Sequence, residues 1–397
     1  RDNSNSNNIN SGRRYDLLET NISLPASFGD SFTKGLKNKI AYFYDGLNGG
    51  FPFYISSLIN ETNSQNHNLH YLNDNLRVNK IEKINENKKM SFYVVKDDEE
   101  VLNNSKFLTY ISQNENENSF FSNNVNIQNT LSFSQRNENL DYEINNNNPL
   151  SIPFLNSSEN GISTGHTLKI NDQDSFVTGF FTGKSVENNI LTSGLIAEYS
   201  KEVDTSIFGL FFGLTSEKNG LLESSINGAF GDNTETKTQF IGLTGFGWLT
   251  NKWSYNSMIT SGYSKLKLKD IGLINEIDDV VSSSFSFGVS KKIDGDQKSE
   301  FFINFSQPMR VEYGNASISI PKLYETGGNL LFESSKFKLA PSGRQLDLSI
   351  GYNSQFNELI NTQLKFSVSD DLGHVKSNKF DHSLMLTAGY KFWFLIK

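Results

Sequence analysis

The sequence predicts an all-β protein. Its main body is a twelve-stranded antiparallel transmembrane β-barrel over residues 127–397, behind an N-terminal linker and accessory region. Three observations predict it. From about residue 127, segments of period-two alternation recur. The connections between them alternate long and short. The last segment presents an apolar row that rises to aromatics, backed by small and polar residues.

In chain order, residues 1–14 are rich in Asn, Ser and Arg and read as a disordered linker. Residues 15–126 form the accessory region, with short strands and turns over 15–60 and a helical turn marked by Phe32, Leu36 and Ile40. The part of this region just before the barrel, within 97–126, is the candidate for entering the lumen. Barrel strands follow at 127–136, 161–170, 175–183, 190–200, 205–216, 236–250, 252–268, 280–291, 299–317, 337–355, 361–369 and 382–394. Alternation is clearest where Phe285, Phe287 and Val289 face away from Ser284, Ser286 and Gly288. It is equally clear where Leu346, Leu348 and Ile350 oppose Asp347, Ser349 and Gly351.

The short connections are 171–174, 201–204, the turn at Asn251, 292–298 and 356–360, and each alternates with a longer one. Outer-membrane barrels have short periplasmic turns, longer external loops and an even strand number. A soluble sandwich has no reason to sort its loops by parity. In the last strand Leu384, Leu386, Tyr390, Phe392 and Phe394 share one face. That strand resembles the terminal aromatic insertion signal of bacterial outer-membrane barrels, although the chain runs three residues past Phe394.

Composition narrows the function. The net charge of −8 gives a nucleic-acid partner no electrostatic support. There are no cysteines, and the five histidines make no metal-ligand pair, so no cofactor or metal is expected. No apolar run is long enough for a transmembrane helix. The chain starts without Met or a signal peptide and reads as a processed product or a piece of something longer.

Tyr199, Trp248, Trp253, Tyr255, Tyr352 and Trp393 fall near the short-turn ends of their strands, where an aromatic girdle would meet the periplasmic leaflet. Parity places Ser284, Ser286, Asp347, Arg310 and Glu312 toward the lumen. Twelve strands with Gly and Ser facing inward should leave room for about one helix or an extended segment.

Motifs that carry chemistry elsewhere are weak here. Gly161-Ile162-Ser163-Thr164-Gly165 fits GxSxG beside His166, but a nucleophile elbow needs a strand-to-helix turn. Ser163 and His166 are three apart on a strand and point to opposite faces. Asp370, Asp371 and His374 share a long loop and read as a solvated turn. The Asp172/Asp174 and Asp294/Asp296 turns lack the bidentate Glu of a calcium loop. No catalytic residue is expected.

Several short segments add a resemblance: Ser27-Phe28-Gly29-Asp30-Ser31-Phe32, Pro153-Phe154-Leu155-Asn156, Phe305-Ser306-Gln307-Pro308-Met309-Arg310, Leu339-Ala340-Pro341-Ser342-Gly343-Arg344-Gln345, and Asp371-Leu372-Gly373-His374. In their order and spacing, the chain from about residue 15 onward resembles the C-terminal region of subtilisin-like serine-protease autotransporters of Gram-negative bacteria. The resemblance implies an outer-membrane translocator or anchor for an N-terminal protease passenger that this chain lacks. It also implies that the lipid bilayer, the outer-membrane barrel assembly machinery and the passenger are the partners. The family's catalytic motifs are absent here, so no protease role passes to any residue. The alternatives are a small-solute porin or uptake channel, a barrel hydrolase, and a soluble β-sandwich adhesin.

Overall fold

The computed structural model describes residues 20–44, 50–61, 77–85, 88–95, 106–114, 117–123, 152–155, 160–185, 190–231, 234–268, 272–293, 298–324, 330–355 and 360–390. The N-terminal part contains β1 (Ile22–Leu24), α1 (Ser31–Gly35), β2 (Ile40–Tyr44), β3 (Gly50–Tyr54) and β4 (Ile59–Glu61). Next come β5 (Arg77–Asn85), β6 (Lys88–Val95), β7 (Lys106–Asn114), β8 (Glu117–Asn123), β9 (Asn160–Lys169), β10 (Asp174–Lys184), β11 (Leu191–Val203) and β12 (Ser206–Lys218). They are followed by β13 (Gly220–Leu221), β14 (Ser224–Ile226), β15 (Thr234–Trp248), β16 (Trp253–Leu268), β17 (Ile274–Ile277), β18 (Val280–Ile293) and β19 (Lys298–Tyr313). The chain ends with β20 (Asn315–Tyr324), β21 (Leu330–Lys338), β22 (Leu346–Gln355), β23 (Ile360–Asp370) and β24 (Asp381–Tyr390).

Fifteen of these strands form one sheet, a sequential antiparallel meander from β5 to β24. Nine of the twelve expected strands lie in it, and the expected strand at 127–136 lies outside the described residues. Two are corrected: the expected 299–317 runs past β19 into β20, and the expected 337–355 joins the end of β21 to β22 across 339–345. A further difference is at the start. The sheet reaches back to Arg77 through β5–β8, and β8 takes the place beside β9. The stretch 97–126 expected in the lumen therefore supplies two strands, β7 and β8. No pairing joins β24 to β5 among the described residues.

The two faces of the sheet are inverted relative to a water-soluble protein. Tyr199, Leu210, Leu243, Ile259 and Phe285 are direct cross-strand partners in a row over five strands. They lie on the outer face, where Leu243 is 57% and Ile259 61% exposed. The opposite face is buried although it is rich in hydroxyls. There the hydroxyls pair across strands, as in Ser122–Ser163, Ser175–Ser200 at 2.8 Å, Thr238–Ser264 at 2.8 Å and Ser349–Ser367 at 2.8 Å. Each pair satisfies groups that would otherwise be buried without partners.

Phenylalanines fill the rest of this inner face, each lying over a glycine on the next strand. The direct pairs are Phe120 with Gly165, Phe181 with Gly194, Phe240 with Gly213, Phe211 with Gly242 and Phe302 with Gly351. A Cβ built on Gly213 would lie 2.0 Å from the Phe240 ring, and one on Gly242 2.2 Å from Phe211. These inward glycines therefore seat rings along the wall of the sheet.

Because the strands follow one another as a meander, the long connections fall at one end, and three of those described carry strands of their own. The β12–β15 connection holds β13 and β14, which form one small sheet with β1 and β4 of the N-terminal part, β14 pairing with β1 and β1 with β4. The connections around β18 and β19 hold β17, β20 and β21, a second small sheet. Residues 20–44 and 50–61 thus sit on the long-loop end as a cap. Phe28, Phe32 and Leu36 are buried beneath it, while Ile40 begins a strand instead of continuing the helical turn.

Candidate functional site at the long-loop mouth

Four of the motif segments, far apart in sequence, meet at this mouth. Gly29 turns the chain with φ +46°, and a Cβ there would lie 2.7 Å from the Pro341 side chain and 2.9 Å from the Gly373 carbonyl. Only glycine suits both the left-handed backbone and the close approach. The turn delivers Asp30, whose carboxylate accepts from the Ser342 N–H at 2.9 Å, the Ser342 hydroxyl at 2.7 Å and Lys34 at 2.8 Å. Burial alone would push the Asp30 carboxyl up. The bonds from Lys34 and Ser342 outweigh it and hold the group below the usual aspartate range.

Behind Ser342, Arg310 donates to the carbonyls of Gly343 at 2.9 Å and Pro341 at 3.0 Å, and to Glu312 at 2.5 Å. Arg344 donates to Glu312 at 2.7 Å and to Gln307. Asp371 accepts from the N–H groups of Arg344 at 3.1 Å and Ser377 at 2.8 Å. His374 is fully buried. Its Nδ1 accepts from the Gln345 N–H at 2.9 Å and its Nε2–H donates to the Met309 carbonyl at 3.0 Å, which fixes a neutral tautomer. Burial pushes its pKa down to about 4, the Met309 bond opposing and the Arg310 and Arg344 charges assisting.

Three further contacts hold the cap. β1 pairs with β14, with Ile22 opposite Ile226. Lys39 reaches Glu333 at 2.9 Å, and Lys322 reaches the same carboxylate at 2.9 Å. Lys39 and then Lys322 draw the Glu333 carboxyl down to about 2. Phe32 stands edge-on to Phe337 with ring centroids 5.3 Å apart. Deeper in the mouth, Phe154 stacks on Phe240 at 4.9 Å, so Pro153-Phe154-Leu155 also packs on the inner face.

The structure distributes the sequence-predicted residues unevenly. Ser284, Ser286 and Asp347 lie on the inner face. Arg310 does not face the lumen: a β-bulge in β19 places Gln307 opposite Phe285 but Arg310 opposite Ser283, which flips its parity. Glu312 follows it, accepting from Ser283 on that same outer face at 2.8 Å. Tyr199, Trp253, Tyr255 and Tyr352 are on the outer face, whereas Trp248 has inner-face parity beside Phe246 and is capped by Lys292 at 4.1 Å. Leu384 and Leu386 pair with the outward Phe366 and Leu364. The Tyr390 backbone pairs with Ile360, and Phe392, Trp393 and Phe394 lie outside the described residues.

Ser163 is on the inner face bonded to Ser122, and His166 is on the other parity bonded to Ser119 at 3.0 Å. Asp172 and Asp174 belong to a hairpin turn organised by Asn171, and 294–296 lie outside the described residues. Among the described residues no group of three or more His, Asp or Glu could hold a metal. None of the helices described is long and apolar enough to cross a membrane.

No protein-family model and no curated protein matches the sequence. Among solved structures, the chain is similar to a loop-deletion mutant of OmpT, an outer membrane protein of Vibrio cholerae, at 9% identity and TM-score 0.45, covering 78% of this chain and 87% of that one. It is similar to the toluene transporter TodX of Pseudomonas putida at 10% identity and TM-score 0.33, covering 58% and 73%. It is also similar to the beta domain of the Bordetella autotransporter Brka at 9% identity and TM-score 0.26, covering 79% and 95%.

Proposed function

We propose that this chain is an outer-membrane β-barrel that translocates and anchors a passenger joined upstream of Arg1, with the lipid bilayer around its outer face. The inverted faces of the sheet support the membrane setting, since apolar groups out and hydroxyls in suit lipid outside and a polar interior. Counted from β8 to β24, the sheet has twelve strands whose first and last run in opposite directions. They can close antiparallel, β24 taking the edge of β8 that β7 occupies.

One observation favours a translocator over a porin. The cap of residues 20–44 and 50–61 is fastened at the long-loop end, while β24 finishes at the short-turn end. A porin with an even strand number keeps both ends periplasmic. Here a segment joined upstream would emerge on the side of the external loops, where an exported passenger belongs. β8 starts at the short-turn end, so the chain between cap and β8 must span the barrel's height. The filled inner face and the cap also disfavour a freely conducting channel. The reading assigns no catalysis to this chain: any protease activity resides in the passenger, and assembly would use the barrel assembly machinery.

The test is topological. An epitope tag fused before Arg1 should be stained by antibody on intact cells, and a tag inserted at Asp294–Asp296 should be stained only after the outer membrane is permeabilised. An N-terminal tag protected to the same degree as the turn tag would overturn the translocator reading.

A further inference from the structure

We propose that the mouth cap is an acid-released latch: a proton entering at His374 frees residues 20–36 from the loops 339–345 and 371–376 while the large sheet stays intact.

The geometry makes His374 the hinge pin of the clamp. Its two ring nitrogens hold two different elements, the Gln345 N–H and the Met309 carbonyl. Its own carbonyl accepts from the Gly343 N–H at 2.8 Å and forms part of the seat of Gly29. Two residues on, the Lys376 N–H donates to the Ser342 hydroxyl at 3.1 Å, the group that donates to Asp30. The backbone is held under strain here, with His374 at φ +59° and Asp371 at φ +49°. A proton on Nδ1 would set one N–H against another and place a charge in a fully buried site.

Among the charges acting on His374 only Glu312 favours that proton, and the other carboxylates nearby are engaged. From β19, the Glu312 carboxylate is already shared by Arg310 and Arg344. From β22, Asp347 accepts from the Gln345 amide at 2.9 Å. From the 371–376 loop itself, Asp371 is engaged by two N–H groups, and Lys376 adds positive charge. From the cap, Asp30 is held by Ser342 and Lys34. Arg310 and Arg344 both oppose a second cation.

The sign follows from linkage. A histidine whose pKa is lower in the closed state binds its proton more readily when released. Closure is therefore favoured above the ordinary value of 6.5 and weakens as pH falls from 6.5 toward 4. Asp30 has its carboxyl pKa lowered, so its contribution is kept through this window and lost only below the usual aspartate range.

The chain has no cysteine, so Ser27→Cys, in the buried turn of the cap, gives a unique thiol. The full chain is refolded in detergent and its reactivity with dithiodipyridine is normalised to the exposed Ser57→Cys. Reactivity should rise about 30-fold from pH 8 to pH 5, heat-modifiable migration should persist, and His374→Asn, which does not titrate, should stay flat. A rise below about threefold would overturn the proposal by that same linkage. So would an undiminished rise in a His374→Asn protein that is closed at pH 8, or loss of heat-modifiable migration at pH 5. Should His374→Asn stand open at pH 8, Asp30→Asn decides. A rise retained between pH 6.5 and 5 supports His374, and its loss assigns the switch to Asp30 and overturns the proposal.

Discussion

Replacing Leu210 and Leu243 together with Arg should abolish folding of the large sheet. The two side chains are direct cross-strand partners in the middle of the outer row. In lipid each Arg costs about 2–4 kcal/mol near the midplane, so the pair removes much of a typical stability of about 5–15 kcal/mol. In water the same changes would be nearly silent, because substitutions on an exposed surface usually shift stability by less than about 0.5 kcal/mol. Leu249→Arg, at a short turn and 62% exposed, should cost little in either setting. Heat-modifiable migration and urea titration in detergent measure both variants. A folded, unshifted double variant would show that the outer face does not meet lipid.

The second large effect is expected inside. Gly213→Val should destabilise the protein by about 3 kcal/mol, the upper end for overpacking. Phe240 has nowhere to go: it covers Gly213, stacks on Phe154 and meets Phe211 edge-on at 6.2 Å, and Phe211 in turn covers Gly242. Adding Phe240→Ala to Gly213→Val should restore part of the loss, since it removes the colliding ring. A double-mutant cycle by urea titration reads the coupling. Additive losses would mean that ring and glycine do not form one unit.

The strands were legible because side-chain period and loop parity are both local properties of the sequence. Alternation alone gave the outward Phe285, Phe287, Leu346, Leu348 and Ile350. Over 240–249 both faces are apolar or Gly, so the row through Leu210, Leu243 and Ile259 needed the cross-strand register. The mispredicted positions have specific physical causes. Alternation was carried past a bulge at Gln307–Arg310, so Arg310 and Glu312 were placed on the wrong face. Ser and Gly on the inner face signalled small residues, but not that Phe rings from the next strand fill the gaps. The cysteine-free mouth carries many charged side chains but no chemical motif. Its organisation depends on contacts such as Asp30 with Ser342, 312 residues apart, which no window of sequence contains. One signal was available: the short segments at 27–32, 305–310, 339–345 and 371–374 are rich in Gly, Pro, Asp and Arg, unlike the strands around them.

The central claim is that the sheet has lipid on one side and a packed interior on the other. A nitroxide scan of residues 240–244 in β15, one introduced cysteine at a time in the full chain refolded into lipid, tests it most directly. Labels at Ile241 and Leu243 should collide freely with oxygen and hardly at all with an aqueous nickel complex. Labels at Phe240 and Thr244 should be shielded from both, while Gly242, which has no room for a label, is left unsubstituted. Free collision with the nickel complex at 241 and 243 would place that face in water and contradict the account.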